Sequence, residues 1–553
     1  MKKKIIIIIS ICLLIIVGIL ISIIRYKSEN NTNNIEDVYL GGVESVDFSN
    51  YSNVNLTEAT TITSGGIYTL TGDINGTVVV NSKDADVKLV LSSANITSTD
   101  GPAIYVEQAD NVYIELVGNN TINSNTIEDL NGAIYSKDDL CILGDGSLKI
   151  VSNIDGIVGK DDLEIESGNI TIEAQDDGIV GKDSVYILNG TFNITVSGDG
   201  IKSTNDLEKG TITILNGKFN IDADMDGIQS MSYLTIEGGT FNIKTGDGSS
   251  TTSTSNGWGF YQNTTTNESM KGIKSSSDIK IINGTFTIDS EDDSIHANGN
   301  VTINGGTFNM SSGDDGIHSD KDITINNGTI NITKSYEGVE GANITVSDGN
   351  LKIVASDDGF NAAGGDGSSQ GRPGANNPYN TNEGTTYVLS INGGTVYVNA
   401  AGDGLDSNGN IFITGGYTTV DGPTNNGNGP IDYGDGGNYK FEVTGGTLIA
   451  VGSQGMAVSP TSGTTVTTLF KNTTSSYNGT ITFGDITYSP AKSYNSILIC
   501  SNKLEVGKSY DLKINNTKIE TITLSNTVTT SGTTGNMGGP GGGDHGGGPG
   551  GMR

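Results

Sequence analysis

The chain has 553 residues, 34% of them hydrophobic, with Gly 80 and a formal charge of -33 at neutral pH. A surface this acidic excludes nucleic acid and anionic membrane surfaces as direct partners unless a cation bridges them. So many glycines with so few apolar residues suit short strands joined by tight turns rather than one thick globular core.

The N-terminus reads Met1-Lys2-Lys3-Lys4, then a mostly Ile, Leu and Val run over residues 5–24, then Arg25 and Lys27. A run of about 20 apolar residues matches a bilayer core of about 30 Å. It is long for a signal-peptide core and has no A-x-A cleavage site, so residues 1–27 read as an uncleaved membrane anchor, with a removed signal peptide as the alternative. The lysines before the run place everything after Lys27 outside, which makes the protein extracellular, held at the cell surface or secreted if cleaved. Residues 28–45 are Asn-rich and polar and read as a stalk.

Strand-like phrases begin near Val46, irregularly at first, as at 76–80, 87–91 and 112–117. From Gly132 one phrase then recurs to about Ala457: an acidic residue, a glycine and an apolar residue, followed by runs such as Ile-Asn-Gly-Gly-Thr-Phe-Asn at 303–309. Its glycines fall at Gly132, Gly156, Gly178, Gly200, Gly227, Gly272, Gly316, Gly338, Gly359, Gly404, Gly429 and Gly455, with Ser294 standing in once. A period of about 22 residues marks a solenoid, whose repeats bury their apolar faces only against neighbouring repeats. Alternating apolar residues in runs this short predict β-strands, so residues 46–457 are expected to be an all-β solenoid. At one fixed offset from the phrase lie Phe192, Phe241, Phe286, Phe308 and Ile330, which stacking about 4.8 Å apart would turn into an internal ladder.

Two polar stretches, 249–269 and 364–385, interrupt the repeat and are expected to be loops on a binding rim. The first carries Trp258 and Tyr261, whose rings suit stacking on a sugar or folding back onto the coils. After Ala457 the period fails, and residues 458–530 read as a small antiparallel cap over the open end of the solenoid. Residues 531–553 are a Gly-rich tail expected to be disordered. Cys141 and Cys500 are too far apart to suggest a zinc site or a disulfide framework and read as apolar fillers.

The residue before the phrase glycine is Asp155, Asp177, Asp199, Asp226, Lys271, Asp293, Asp315, Glu337, Asp358 and Asp403 in turn. A second acid precedes it at Asp176, Asp292, Asp314 and Asp357, and Glu340, Asp406 and Asp432 lie close by. Stacked repeats would line these up in columns, where neighbouring charges about 4.8 Å apart repel by roughly 3.5 kcal/mol at an effective dielectric near 20. Asp-Gly is also an ordinary tight turn, with glycine taking positive φ, and that accounts for single acids. The doubled acids ask for more, and clustered hard oxygens suit Ca²⁺, which would convert the repulsion into a cross-link. Candidate ligands are Asp176, Asp177, Asp292, Asp293, Asp314, Asp315, Glu337, Asp357 and Asp358. His296 and His318 share one repeat position beside Asp293 and Asp315, as stacked imidazoles bonded to carboxylates or as a His/Asp metal pair.

Through the phrase at 303–310 and the following Ser312-Gly-Asp-Asp-Gly-Ile-His-Ser319, residues 46–520 resemble a family of exported clostridial-type carbohydrate-binding proteins. The resemblance implies a right-handed parallel β-helix of the pectate-lyase kind, calcium on its surface and binding of acidic polysaccharide such as polygalacturonate. It carries the calcium acids onto Asp292, Asp293, Asp314, Asp315, Asp357 and Asp358, while Lys271 and the Tyr336-Glu337 step depart from the pattern. Lyases of this fold need a base, typically Arg or Lys, but the arginines here are Arg25, Arg372 and Arg553, none of them in a coil. Lys202, Lys271 and Lys274 near the acidic step read as charge compensation. The expectation is therefore a monomeric binder without catalytic residues, with Trp258, Tyr261, Lys271, Lys274, His296 and His318 as sugar contacts. The alternatives are a surface protein or adhesin stiffened by calcium, and a polysaccharide lyase.

Overall fold

The computed structural model describes residues 42–206, 209–250, 269–363, 387–434 and 438–532. The expected anchor, most of the stalk and of the tail, both Trp258 and Tyr261, and the 364–385 loop lie outside these residues. The described part is all-β, with 3-10 turns at Phe48–Asn50 and Gly248–Ser250 and no α-helix. Among the described residues no helix is long and apolar enough to cross a membrane.

Strands return in threes. Ile179–Gly181, Ser184–Ile187 and Thr191–Val196 are followed by Ile201–Ser203, Thr211–Ile214 and Lys218–Ala223. Each strand pairs in parallel with its counterpart in the next trio. The first members build a 14-stranded sheet whose order follows the sequence, and the other two join a 32-stranded sheet. Parallel sheets need crossovers, and here the other strands of each trio supply them.

Alternation along each strand sends every second side chain inward. Thr191–Val196 buries Phe192, Ile194 and Val196, and Ile201, Ile212 and Phe219 from other strands enter the same continuous apolar core. Each fully buried Ile or Phe contributes about 1.5–3 kcal/mol. The phenylalanines stack face to face, with centroids 4.8 Å apart for Phe192 and Phe219, 4.7 Å for Phe219 and Phe241, 4.8 Å for Phe241 and Phe286 and 4.6 Å for Phe286 and Phe308. Phe219 is the member that a fixed offset missed, because extra residues between Ile201–Ser203 and Thr211–Ile214 push it further from its phrase glycine.

The phrase glycines serve packing and not positive φ. A Cβ on Gly178 would lie 2.5 Å from the Gly200 carbonyl oxygen and 2.8 Å from the Ile194 side chain. Positive φ belongs to another row, as at Gly190 (φ 143) and Gly284 (φ 137) in the turns before the phenylalanine strands. The turn reading of the phrase glycine is thus corrected: the next repeat approaches too closely for a side chain. At the C-terminal end Ile481–Phe483, Ile486–Tyr488, Ser509–Ile514 and Thr517–Thr523 form a four-stranded antiparallel sheet. Tyr494–Ser501 pairs antiparallel with Thr447–Gly452 and so joins this part to the last repeats.

Candidate functional site

The acidic residue of each phrase sits at the lip of a strand in the 14-stranded sheet, and one of its oxygens is already employed. The backbone N–H of Asp177 donates to Asp155 Oδ1 at 3.0 Å, Asp199 to Asp177 at 2.7 Å, Asp226 to Asp199 at 2.9 Å and Lys271 to Asp226 at 2.7 Å. The same bond runs from Asp315 to Asp293 at 3.0 Å, from Glu337 to Asp315 at 3.1 Å, from Asp403 to Asp358 at 2.5 Å and from Gly429 to Asp403 at 2.5 Å. Each of these eight aspartates thus extends the parallel ladder by one charge-assisted hydrogen bond, a contribution of about 1.5–3 kcal/mol. The second oxygen is left to other side chains.

What it meets depends on a neighbouring row. Strand register lines up Lys202, Gln229, Lys274, His296, His318, Glu340, Asn361 and Asp406, two residues beyond the phrase glycine or its Ser294 replacement. The early members bring positive charge. Lys202 lies 3.1 Å from Asp177 and 2.8 Å from Asp199, and Lys274 lies 3.0 Å from Asp226. The Gln229 amide, with its nitrogen toward the column, donates to Asp199 at 2.8 Å and to Asp226 at 3.2 Å. Lys271 adds a cation from the column itself, 2.6 Å from Asp292 and 2.9 Å from Asp293. Burial works against the Lys271 charge, but Asp293 and Asp292 outweigh it and hold the ammonium well above its usual range. Burial likewise opposes the Asp293 charge, and Lys271 and His296 overcome it, holding that carboxyl well below its usual range.

His296 and His318 stack with ring centroids 4.7 Å apart, 12° from parallel. His296 Nδ1 lies 2.8 Å from Asp293, and His318 Nδ1 lies 3.0 Å from Asp315. Lys271, Lys274, His296 and His318, expected as sugar contacts, all pair with the column. Asp176 and Asp177 converge on Gly198, where a Cβ would come within 2.6 Å and 2.5 Å of their oxygens.

Past His318 the facing row turns acidic or neutral. Among the described residues no Lys, Arg or His pairs with Asp357, Asp358, Asp403 or Asp406. Burial, then the charges of Asp357, Asp406, Glu337 and Asp403, push Asp358 up to about 10. Burial and neighbouring acids lift Asp406 to about 8 and Asp403 to about 7, and they hold Glu337 well above its usual range. Asn361 donates its amide to Glu337 at 2.8 Å, while its buried Oδ1 has no hydrogen-bond partner. A Cβ on Gly402 would collide with Asp357 and Asp358, so glycine keeps that pocket of oxygens open. An all-oxygen donor set with an orphaned amide carbonyl fits Ca²⁺ and offers nothing to a thiophilic metal. Asp403, Asp406 and Asn361 were not among the expected ligands, though their fixed distance from the phrase glycine was the available signal.

Fold and column together define an all-β repeat protein with long parallel sheets and one acidic edge. The family described as carbohydrate-binding domain-containing protein matches residues 57–316 and 314–511, and the chain belongs to it. A protein of the same description from Acetivibrio thermocellus is 36% identical over 121 residues, which is 20% of this chain and 42% of that relative. The chain is also similar to a solved structure described as a polysaccharide lyase-like protein from C. thermocellum, a gadolinium derivative. That match is 26% identical, covers 51% of this chain and 91% of the other, and has a TM-score of 0.28.

Proposed function

We propose that the protein is an exported, surface-held binder of acidic polysaccharide, polygalacturonate-like in chemistry, whose grip depends on calcium at Glu337, Asp357, Asp358, Asn361, Asp403 and Asp406. In this reading the strand trios are coils of a closed right-handed parallel β-helix, about 22 residues each, joined to the membrane by residues 1–27 and closed by the cap at 458–530. One observation carries the proposal: where the facing row stops supplying positive charge, several half-buried carboxylates crowd together beside an amide oxygen with no partner. Calcium bound there supplies the missing charge and leaves coordination positions for uronate oxygens.

Asp177, Asp292 and Asp293 have lysine and Asp315 has His318 in that role, so these four, with their sequence neighbours Asp176 and Asp314, rank behind the Asp358 step as calcium ligands. Pairing also favours binding over lyase chemistry. Lys202 and Lys271 each sit between two carboxylates that raise their pKa, the opposite of what a general base requires.

A pull-down on polygalacturonate tests this reading: the full chain is retained with calcium and released by excess EDTA. Retention in EDTA would refute it. Calcium-dependent thermal stability with no glycan retained would instead establish the stiffened structural protein, and new absorbance near 235 nm would establish a lyase.

A further inference from the structure

The step where the facing row changes sign sets one imidazole against carboxylates on both sides. His318 Nδ1 lies 3.0 Å from Asp315 Oδ2 and 2.9 Å from Glu340 Oε2, and its other nitrogen, Nε2, lies 3.3 Å from Asp320. A ring that donates Nε2–H to Asp320 turns the Nδ1 lone pair toward two carboxylate oxygens, which is repulsive unless a cation lies among them. The surroundings hold all three groups in place. Asp315 spends Oδ1 on the Glu337 N–H at 3.1 Å, His318 stacks on His296, and strand register sets Glu340 directly beside His318.

We propose that Asp315, His318 and Glu340 bind a divalent transition metal ion of the zinc type. Their donor atoms all lie within 4.8 Å of one another. The N···O separations of 2.9 and 3.0 Å approach the edge of about 3.3 Å expected when metal–ligand bonds are about 2.0–2.1 Å in a tetrahedron. Asp320 is the carboxylate partner that fixes tautomer and ring orientation behind a metal-bound histidine. The imidazole sets the chemical class, because nitrogen favours zinc-like ions while the oxygen-only step at Asp358 favours calcium. Three protein donors leave one position for water or a ligand oxygen. The proposal does not depend on calcium at the other step or on the identity of the glycan. The competing occupant is a proton: a doubly protonated His318 also satisfies these carboxylates, and burial, outweighed by bonds to Asp315, Asp320 and Glu340, leaves its pKa well above the usual range.

Elemental analysis separates the two. The tag-free full chain is stripped with chelator, equilibrated with Zn²⁺ in excess Ca²⁺ and dialysed. About one Zn²⁺ per chain is expected to remain. His318→Gln and Glu340→Gln each weaken retention by at least about tenfold. Asp358→Asn and His545→Ala leave it unchanged. Co²⁺ in place of Zn²⁺ gives the wild type a tetrahedral visible spectrum that does not need a variant to fold, and Glu340→Gln removes it. A wild type that keeps no Zn²⁺ and shows no such spectrum, or retention indifferent to both His318→Gln and Glu340→Gln, overturns the proposal and gives the step to the proton.

Discussion

Each acid of the column has two oxygens with different duties, and that division decides what a substitution does. Oδ1 of Asp293 accepts the Asp315 N–H, and Oδ2 takes Lys271 and His296. Lys271→Met leaves Asp292 and Asp293 without that ammonium, so thermal or denaturant unfolding should show a loss of about 3–5 kcal/mol in chelator. Added calcium should restore part of the loss. The acids past His318 predict a pH effect of definite sign. Asp403, Asp406 and Asp358 rise from 3.8 to about 7, about 8 and about 10, so the folded chain binds more protons than the unfolded one above pH 4 or so. In EDTA the melting temperature should therefore fall as pH climbs from about 4 through 7 and 8, and calcium should flatten that fall. A melting temperature that rises over this window would show that these carboxylates are already compensated.

The acidic step was legible in the sequence because its spacing repeats, and so were the histidine pair and the lysine that breaks the pattern. Its internal sorting was not. Spacing cannot tell which carboxylate oxygen extends the ladder, nor that Lys202, Lys274 and His318 lean onto the column while Asn361 and Asp406 do not neutralise it. Those distinctions depend on side-chain direction and on the register between strands.

At the scale of the strand, inward alternation and the phenylalanine stack hold successive repeats in register. Phe241 lies between Phe219 and Phe286 and is buried. Phe241→Ala should cost about 3–5 kcal/mol, read as a shift in the denaturant midpoint without a change in m. A loss below about 1 kcal/mol would mean that the core closes over the gap. Strand existence was readable from runs such as Ile323-Thr-Ile325, which lies within Asp322–Ile325. The reason for the phrase glycine was misread, since a one-dimensional pattern cannot show the next repeat's carbonyl pressing on it. Among the early strands, Val87–Ser98 runs well past the apolar phrase at 87–91, and Gly66–Asn75 precedes the first phrase at 76–80.

Over the whole molecule, the change of the facing row from Lys and His to Glu, Asn and Asp divides one continuous column into two chemical zones. The zone up to His318 sets Lys202, Lys271, Lys274, His296 and His318 against its acids. The zone beyond it concentrates carboxylates that no Lys, Arg or His pairs with among the described residues, and a charge of -33 makes any acidic polymer a partner only through cations. The central claim is that calcium at the Asp358 step is the bridge. Its most direct test is the affinity of the full chain for polygalacturonate across a calcium titration, for the wild type and for Asp358→Asn with Asp406→Asn. The wild type should gain affinity as calcium rises, and the paired variant should keep its fold by circular dichroism while losing that gain. Binding by the variant that follows calcium as the wild type does, or wild-type binding indifferent to calcium, would contradict the account.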